Sequence, residues 1–291
     1  MLAQLIVSGL AAGALYGLLA LGFVMIYKTS DVLSFAQGEI AMVNTFFAFS
    51  LVETYHVPFW WAFALTVLFA WCLGLTLEFV FLRPARNPTL LGLIIITLGF
   101  DLILYGLAGW TWGYDTTSFP SPFSDFKAYN LVGGVVVSEV NLWIFVVSLG
   151  LMALLFAFFR FTRLGVAMRA VAQNRMASRI MGIRIKRINA MTWGLGSVLG
   201  AVAGVLIAPI TFLDINMGLN PGLKAFTAAV LGGMTSMPGA VVGGLLLGVA
   251  ESLAGAYLGV ALRGSLAFAV IVVVLLVRPE GLFGRSRRER G

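Results

Sequence analysis

Reactive and metal-binding side chains are almost missing from this sequence. Its 291 residues include one cysteine and one histidine. A single cysteine, Cys72, can form neither an intrachain disulfide nor a cysteine-based metal site. The sequence also lacks the phosphate-binding loop of ATPases, the HExxH pattern of zinc proteases and the GxSxG motif of serine hydrolases. We therefore expect no catalytic residue, no metal site and no cofactor, and any ATP hydrolysis must come from another chain.

Charge is scarce as well. Only 11% of the residues are charged and 60% are hydrophobic, whereas soluble domains carry about 25% charged and roughly 45–50% apolar residues. A soluble protein of this composition would expose large apolar patches to water. Lipid is the natural solvent for such surfaces. The composition therefore predicts a membrane-embedded, all-α protein.

Long apolar runs give the number of transmembrane segments. A helix needs about 20 apolar residues to cross a bilayer. Two further regions, 34–52 and 222–277, are apolar but irregular, and the second is predicted to break at Pro238 and around Arg263. We expect a single domain with about eight or nine crossings, some of them short, broken or re-entrant. The five uninterrupted runs are residues 2–27, 58–82, 89–113, 141–159 and 189–210.

Basic residues are unevenly distributed between the loops. Residues 160–187 contain eight Arg and Lys and no acid, and the tail 285–291 has four Arg against Glu289. Short loops rich in Lys and Arg stay on the cytoplasmic side of a membrane. The loop 160–188 is therefore predicted to be cytoplasmic and the loop 113–140 external. This asymmetry accounts for the net charge of +7 without nucleic-acid binding.

Small residues and helix breaks mark where helices approach closely. Glycines recur every four residues or nearly so in three segments, a spacing that lets helix backbones pack together. Polar residues and glycine also interrupt apolar runs at 34–39, 220–226 and 231–239. Breaks at membrane depth are tolerated where they are buried in protein or line a cavity, and in transporters they often face the substrate path. The candidate path residues are Gln37, Gly38, Glu39, Gly222, Lys224 and Phe226.

Acids also fall inside apolar segments: Asp101 in 89–113, Glu78 near the end of 58–82 and Glu251 in 222–277. An intramembrane acid is a candidate functional residue. Asp101 could be a proton or cation site, as in an ion-coupled secondary transporter, or a hydrogen-bonding partner between helices. We favour the hydrogen-bonding role because its own span holds no second charge.

The cytoplasmic loop predicts a pair of short helices. Residues 163–172 have helical apolar spacing, Asn174 can cap a second helix, and Gly182 stands where a C-terminal cap glycine belongs. The second helix carries apolar residues in a very basic loop, a combination suited to a groove on a partner. Its residues are Asn174, Arg175, Met176, Ala177, Ser178, Arg179, Ile180, Met181 and Gly182.

This loop resembles the ATPase-coupling loop of ABC importer permeases. The stretch 170–183, AVAQNRMASRIMGI, is similar to the pattern of the branched-chain amino acid family, and in particular of its shorter permease type. Similar motifs follow in order along the chain: SFAQGE at 34–39, GLKAF at 222–226, PGAVVGG at 238–244 and RPEGLFG at 278–284. Loops of this family often carry an acid near positions 174 and 176. Its absence here predicts either docking that rests more on shape and apolar contact, or an ATPase that is unusually matched to this loop.

The resemblance implies a fold, partners and a mechanism. The fold would be that of an ABC importer permease in the cell inner membrane. Two cytoplasmic ATPase subunits, a second permease subunit and a periplasmic substrate-binding protein would complete the importer, and the helix 174–182 would transmit the ATPase movement. The implied cargo is branched-chain amino acids. Two alternatives stay open: a permease for urea or short amides in the same family, and an ion-coupled secondary transporter.

Overall fold

The computed structural model describes residues 2–85, 89–120, 128–131 and 135–284. These residues form two compact units. The first lies within Met1–Val24, Phe123–Leu149 and Leu223–Gly291, and the second within Met25–Pro122 and Gly150–Gly222. The single-domain organisation expected from the sequence stays a prediction. Parts of the external loop, Arg86 and the basic tail 285–291 lie outside the described residues.

Helices dominate the described part of the chain. Two of them, α2 and α3, continue as π-helical segments, Ser50–Thr54 and Leu77–Leu82. The loop between α4 and α5 holds a short antiparallel hairpin of β1 (Ala128–Leu131) and β2 (Val135–Ser138), which the sequence analysis missed. The helices are α1 (Leu2–Ser30), α2 (Gln37–Phe49), α3 (Phe59–Thr76), α4 (Leu90–Trp112), α5 (Glu139–Phe161), α6 (Arg163–Gln173), α7 (Arg175–Ile180), α8 (Ile185–Thr211), α9 (Leu219–Gly232), α10 (Met237–Tyr257) and α11 (Val260–Val277).

Six helical segments of the described chain are long and apolar enough to cross a membrane. Five of them match the uninterrupted apolar runs of the sequence to within a few residues, and the sixth is Met237–Tyr257. A further apolar helical segment, Gly264–Val277, is shorter. The number of about eight or nine crossings stays a prediction. The prediction of an all-α, polytopic membrane fold is confirmed.

The helix breaks lie close to the predicted places but not always at them. A break before Pro238 is confirmed, because α10 starts at Met237 and the Ser236 hydroxyl accepts a hydrogen bond from the Gly239 amide at 3.1 Å. Proline is tolerated there because the first turn of a helix has unpaired N–H groups in any case. The break predicted around Arg263 is wrong. The chain turns earlier, at Gly259 with φ of 100°, and residue 263 lies within α11.

Two predicted interruptions prove to be helix beginnings. Residues 222–226 lie inside α9, and Gln37 is the first residue of α2. The interruptions come just before them, in the non-helical residues 31–36 and 212–218. Gln, Gly and Asn-Pro-Gly were taken as signs of a broken segment, whereas these residues occupy the first turns, where unpaired N–H groups tolerate them.

Close helix packing in the second unit centres on α8. A Cβ atom at Gly204 would lie 2.6 Å from the Ala41 carbonyl oxygen of α2, and one at Gly74 of α3 would lie 2.8 Å from the Trp193 carbonyl carbon of α8. The α8 residues from Leu199 to Ala208 are buried. Glycine therefore brings α2 and α3 to backbone contact with α8.

A second glycine seam lies in the first unit, between α1 and α10. A Cβ atom at Gly9 would lie 2.8 Å from the Val249 Cα, and one at Gly13 would lie 2.7 Å from the Gly244 carbonyl oxygen. The Ser8 and Ser252 hydroxyls form a hydrogen bond of 3.2 Å beside this seam. The glycine spacing predicted close packing, and the structure identifies the partner helix.

Candidate coupling helix and buried polar groups

The two short helices predicted within residues 163–182 are both present, and side chains cap both of them. The Thr162 hydroxyl accepts from the Gly165 amide at 3.0 Å at the start of α6. The Asn174 carboxamide oxygen accepts from the Ala177 amide at 2.9 Å at the start of α7. Gly182, just after α7, has φ of 82°, a left-handed conformation that glycine adopts without steric cost. The predicted caps of α7 are confirmed, and the Thr162 cap was missed.

One side of α7 is exposed and apolar. Met176, Ile180 and Met181 are 71%, 80% and 81% exposed. Ser178, on the opposite side, is buried. Because these side chains find no cover within the described chain, α7 presents the surface that a groove on another subunit would accept.

Arg175 holds α7 to the end of α1. Its guanidinium donates to the Thr29 carbonyl oxygen and lies 3.6 Å from the Asp31 carboxylate. Asp31 has φ of 54°. Both charged side chains are about one-third exposed, so the ion pair itself adds at most about 1 kcal/mol to stability. The contact therefore orients α7 relative to the end of α1 although it adds little to stability. Residues 31 and 175 are far apart in the sequence, so no local pattern predicts their contact.

At the start of α2, Gln37 is completely buried. Its amide nitrogen donates to the Gly196 carbonyl oxygen of α8 at 2.8 Å. A Cβ atom at Gly38 would lie 2.6 Å from the Gly218 carbonyl oxygen, and one at Gly222 would lie 3.2 Å from the Gly38 Cα. These candidate path residues therefore serve helix packing, and a role in the substrate path stays a prediction.

Glu39 brings a second carboxyl group to Asp101. The two side chains, from α2 and α4, lie within hydrogen-bonding reach of each other, and Glu39 is 6% exposed. A hydrogen bond between two carboxyl groups requires a proton on one of them, because carboxylates only accept. The structure thus agrees with the interhelix hydrogen bond favoured for Asp101. Glu39 lies 62 residues away, which is why its part in this pair was missed.

In the first unit, Lys224 pairs with Glu251. The Lys224 ammonium donates to the Glu251 carboxylate at 2.6 Å and to the Tyr16 hydroxyl at 3.3 Å, and it lies 5.3 Å from the centre of the Tyr16 ring. Glu251 is 3% exposed and the Lys224 side chain 18%. Phe226, another candidate path residue, packs edge-to-face on Phe23 with 6.1 Å between ring centres. The Lys224–Glu251 contact could have been predicted from the sequence, because charged residues within a membrane usually pair with one another.

The candidate path residues fall into two groups. Gln37, Gly38, Glu39 and Gly222 lie in the second unit, and Lys224 and Phe226 in the first. Within the described residues, no group of three or more His, Cys, Asp or Glu side chains could hold a metal ion. The buried acids instead have a carboxyl or an ammonium group as their neighbour. This arrangement offers hydrogen bonds and charge pairs between helices.

Comparison with known proteins places the chain in a family. Residues 5–277 match the family described as the branched-chain amino acid transport system / permease component. The chain belongs to this family. The resemblance stated from the sequence motifs is confirmed.

Two curated relatives match almost from end to end. The high-affinity branched-chain amino acid transport system permease protein LivH of Escherichia coli K12 is 33% identical over 300 residues, with 99% of this chain and 97% of that protein covered. The corresponding protein BraD of Pseudomonas aeruginosa is 35% identical over 299 residues, with the same coverage. A solved structure titled PsaBC from Streptococcus pneumoniae in complex with Fab has a similar fold, with a TM-score of 0.51 at 11% identity over 96% of this chain and 92% of that one.

Proposed function

We propose that this chain is the transmembrane permease subunit of an ABC importer that moves branched-chain amino acids across the cell inner membrane. The family match over residues 5–277 carries the proposal. The described chain supplies the other features that the role needs: apolar helices to cross the bilayer and an exposed, capped helix on the basic loop. Two separate ATPase subunits, a second permease and a substrate-binding protein complete the importer.

In this proposal, α7 docks on the ATPases. The Met176, Ile180 and Met181 side chains enter an apolar groove, and Arg175 transfers the movement of α7 to the end of α1. ATP and substrate-loaded binding protein must favour different states of the permease, because a ligand shifts an equilibrium only by its difference in affinity for the two states. A short, capped helix suits this task because it moves as one body.

The test is uptake of radiolabelled leucine by the reconstituted importer. Met176→Glu/Ile180→Glu places two charges on the docking side of α7, so we expect loss of ATPase subunits on purification and uptake at background. Val166→Glu, on an exposed position of α6, is the matched control and should retain both. Full uptake and assembly in the α7 variant would contradict the proposed docking. Uptake of urea or a short amide in place of leucine would support the importer role and change only the transported substrate.

A second function, ion-coupled secondary transport, rested on unpaired acids within the membrane. Glu251 has Lys224 as a partner, and Asp101 has Glu39. The Lys224 ammonium occupies the Glu251 carboxylate, so Glu251 is less suited to binding a transported cation, whereas two neighbouring carboxyl groups such as Glu39 and Asp101 can together bind a proton or a cation. Uptake by the chain alone, driven by an ion gradient, would nevertheless identify a secondary transporter, and ATP-dependent uptake by the complex identifies the importer.

A further inference from the structure

A cleft of about 870 Å³ lies in the second unit, where α3 and its π-helical continuation meet the start of α8. It is distinct from the buried pairs described above. Its lining combines aromatic, aliphatic and basic residues, and no acid is among them: Trp71, Leu75, Phe79, Arg83, Arg179, Ile183, Arg184, Ile185, Lys186, Arg187, Ala190 and Met191.

One end of the cleft is apolar and belongs to a transmembrane segment. Trp71, Leu75 and Phe79 recur every four residues and therefore share one face of the helix. All three lie in the candidate membrane span Phe59–Leu82. The Trp71 ring packs on α8 at Gly194, where a Cβ atom would lie 3.0 Å from the ring. Phe79 is 46% exposed, so this end of the cleft offers an apolar surface on which an acyl chain can pack.

The other end is strongly basic. Five of the lining residues are Arg or Lys, and the Arg83 guanidinium lies 5.0 Å from the centre of the Phe79 ring. Glu78 lies within electrostatic range of Arg83 and Lys186, but it is 4% exposed and is not among the lining residues. One carboxylate cannot balance five cations. The basic end therefore attracts an anion.

Apolar and basic ends in one cleft match the two parts of a phospholipid. A soluble anion would leave the apolar wall without a partner, and a partner protein would have to enter the membrane to reach Trp71. Basic pockets between transmembrane helices on the cytoplasmic side bind anionic lipid headgroups. The long Arg and Lys side chains can reach the headgroup level while their stems stay on apolar surface.

We propose that this cleft binds one anionic phospholipid of the cytoplasmic leaflet, with its phosphate among Arg83, Lys186 and Arg187 and an acyl chain along Trp71, Leu75 and Phe79. The site also includes Arg179 of α7. A lipid bound there would tie the helix proposed to dock the ATPases to the membrane surface. That last consequence rests on the proposed function; lipid binding itself does not.

The experiment measures lipid retention by native mass spectrometry of the full-length chain in mild detergent. Phosphatidylglycerol and phosphatidylcholine with identical acyl chains are added in equal amounts. We expect one phosphatidylglycerol to be retained in preference to phosphatidylcholine. Lys186→Gln/Arg187→Gln should reduce this retention by about five-fold for each cation removed, the effect of one basic residue near an anionic lipid.

Two further variants separate the cleft from general charge and from misfolding. Arg163→Gln/Arg169→Gln removes two exposed cations of α6 outside the cleft and should retain the lipid. Leu75→Trp fills the apolar end without changing charge and should lose it. Circular dichroism and a monodisperse elution profile establish that each variant is folded.

Four results would overturn the proposal. These are unchanged retention in both cleft variants, equal loss in the α6 control, equal retention of phosphatidylcholine, and displacement of the lipid by millimolar inorganic phosphate. If the cleft variants lose the ATPase subunits but retain phosphatidylglycerol unchanged, the cleft is a protein-docking surface instead. None of these results depends on uptake, so failure here is distinguishable from failure of the proposed function.

Discussion

The Lys224 ammonium and the Glu251 carboxylate form a charge pair at 2.6 Å. Taking two charges out of water is costly, and their attraction offsets that cost only when the geometry is good and further hydrogen bonds are made. Tyr16 provides such a bond through its hydroxyl. Lys224 was predicted as a path residue. In the structure its ammonium pairs with a carboxylate carried by an apolar helix.

Breaking this pair should be more harmful than removing it. Glu251→Gln or Lys224→Met leaves one uncompensated charge, with an expected loss of about 3–5 kcal/mol in the free energy of unfolding. Lys224→Met/Glu251→Met should recover most of that loss. Thermal unfolding in detergent measures the difference, with Glu53→Gln, an exposed acid, as the control. A double variant as unstable as either single one would mean that the pair contributes through more than charge balance.

For the Glu39–Asp101 contact, in contrast to the Lys224–Glu251 pair, we expect single amide substitutions to leave the folded stability unchanged. A hydrogen bond between the two carboxyl groups requires a proton on one of them, and in Asp101→Asn or Glu39→Gln the amide can donate in its place. We expect each single variant to keep its folded stability and its leucine uptake. Asp101→Leu should lower stability, since it leaves Glu39 buried without its partner. Normal folding with lost uptake in Asp101→Asn would assign a proton or cation role to this acid instead.

At the scale of elements, the seam between α1 and α10 depends on the absence of side chains. A Cβ atom at Gly248 would overlap the backbone of Gly13 and Gly9, and neither can move without separating the helices. Membrane helices gain little hydrophobic energy from association, so close packing of this kind is a main source of their stability.

The matched test compares two Gly→Ala changes in transmembrane helices. Gly248→Ala should destabilise the protein by about 1–3 kcal/mol, the usual cost of overpacking. Gly106→Ala in α4 meets nothing within 4 Å and should be neutral or slightly stabilising, because alanine favours the helix by up to about 1 kcal/mol. Folded yield and the thermal midpoint in detergent provide the measurement. Equal effects at both positions would show that the seam tolerates a methyl group.

Helix α7 illustrates how far local sequence reaches at this scale. Its beginning at Arg175, its Asn174 cap and its terminating glycine were all predictable, since capping depends on residues within one turn. The contact with Thr29 and Asp31 was not. The partners are about 145 residues apart along the chain, and no sequence pattern in either segment predicts contact with the other.

For the whole molecule, the distribution of basic residues predicts a cytoplasmic loop 160–188 and an external loop 113–140. The single cysteine makes this testable. After Cys72→Ser, we expect Tyr129→Cys in the hairpin to react with a membrane-impermeant maleimide in intact spheroplasts. Arg169→Cys in α6 should react only after the membrane is opened. Both side chains are exposed, so access is decided by the membrane and not by packing. The reversed labelling pattern would invert the assigned orientation.

The sequence by itself determined the membrane fold class, the five clear spans, the caps of α7 and the family. These properties depend on composition, on apolar runs and on motifs that are continuous along the chain. Only the tertiary structure decided that Gln37 holds α2 to α8, that Glu251 neutralises Lys224, that Glu39 meets Asp101, and that α3 and α8 enclose a basic cleft. Each of these contacts joins residues far apart in the chain. Which apolar helices pack together depends on shape and close approach in three dimensions, which hydropathy does not encode.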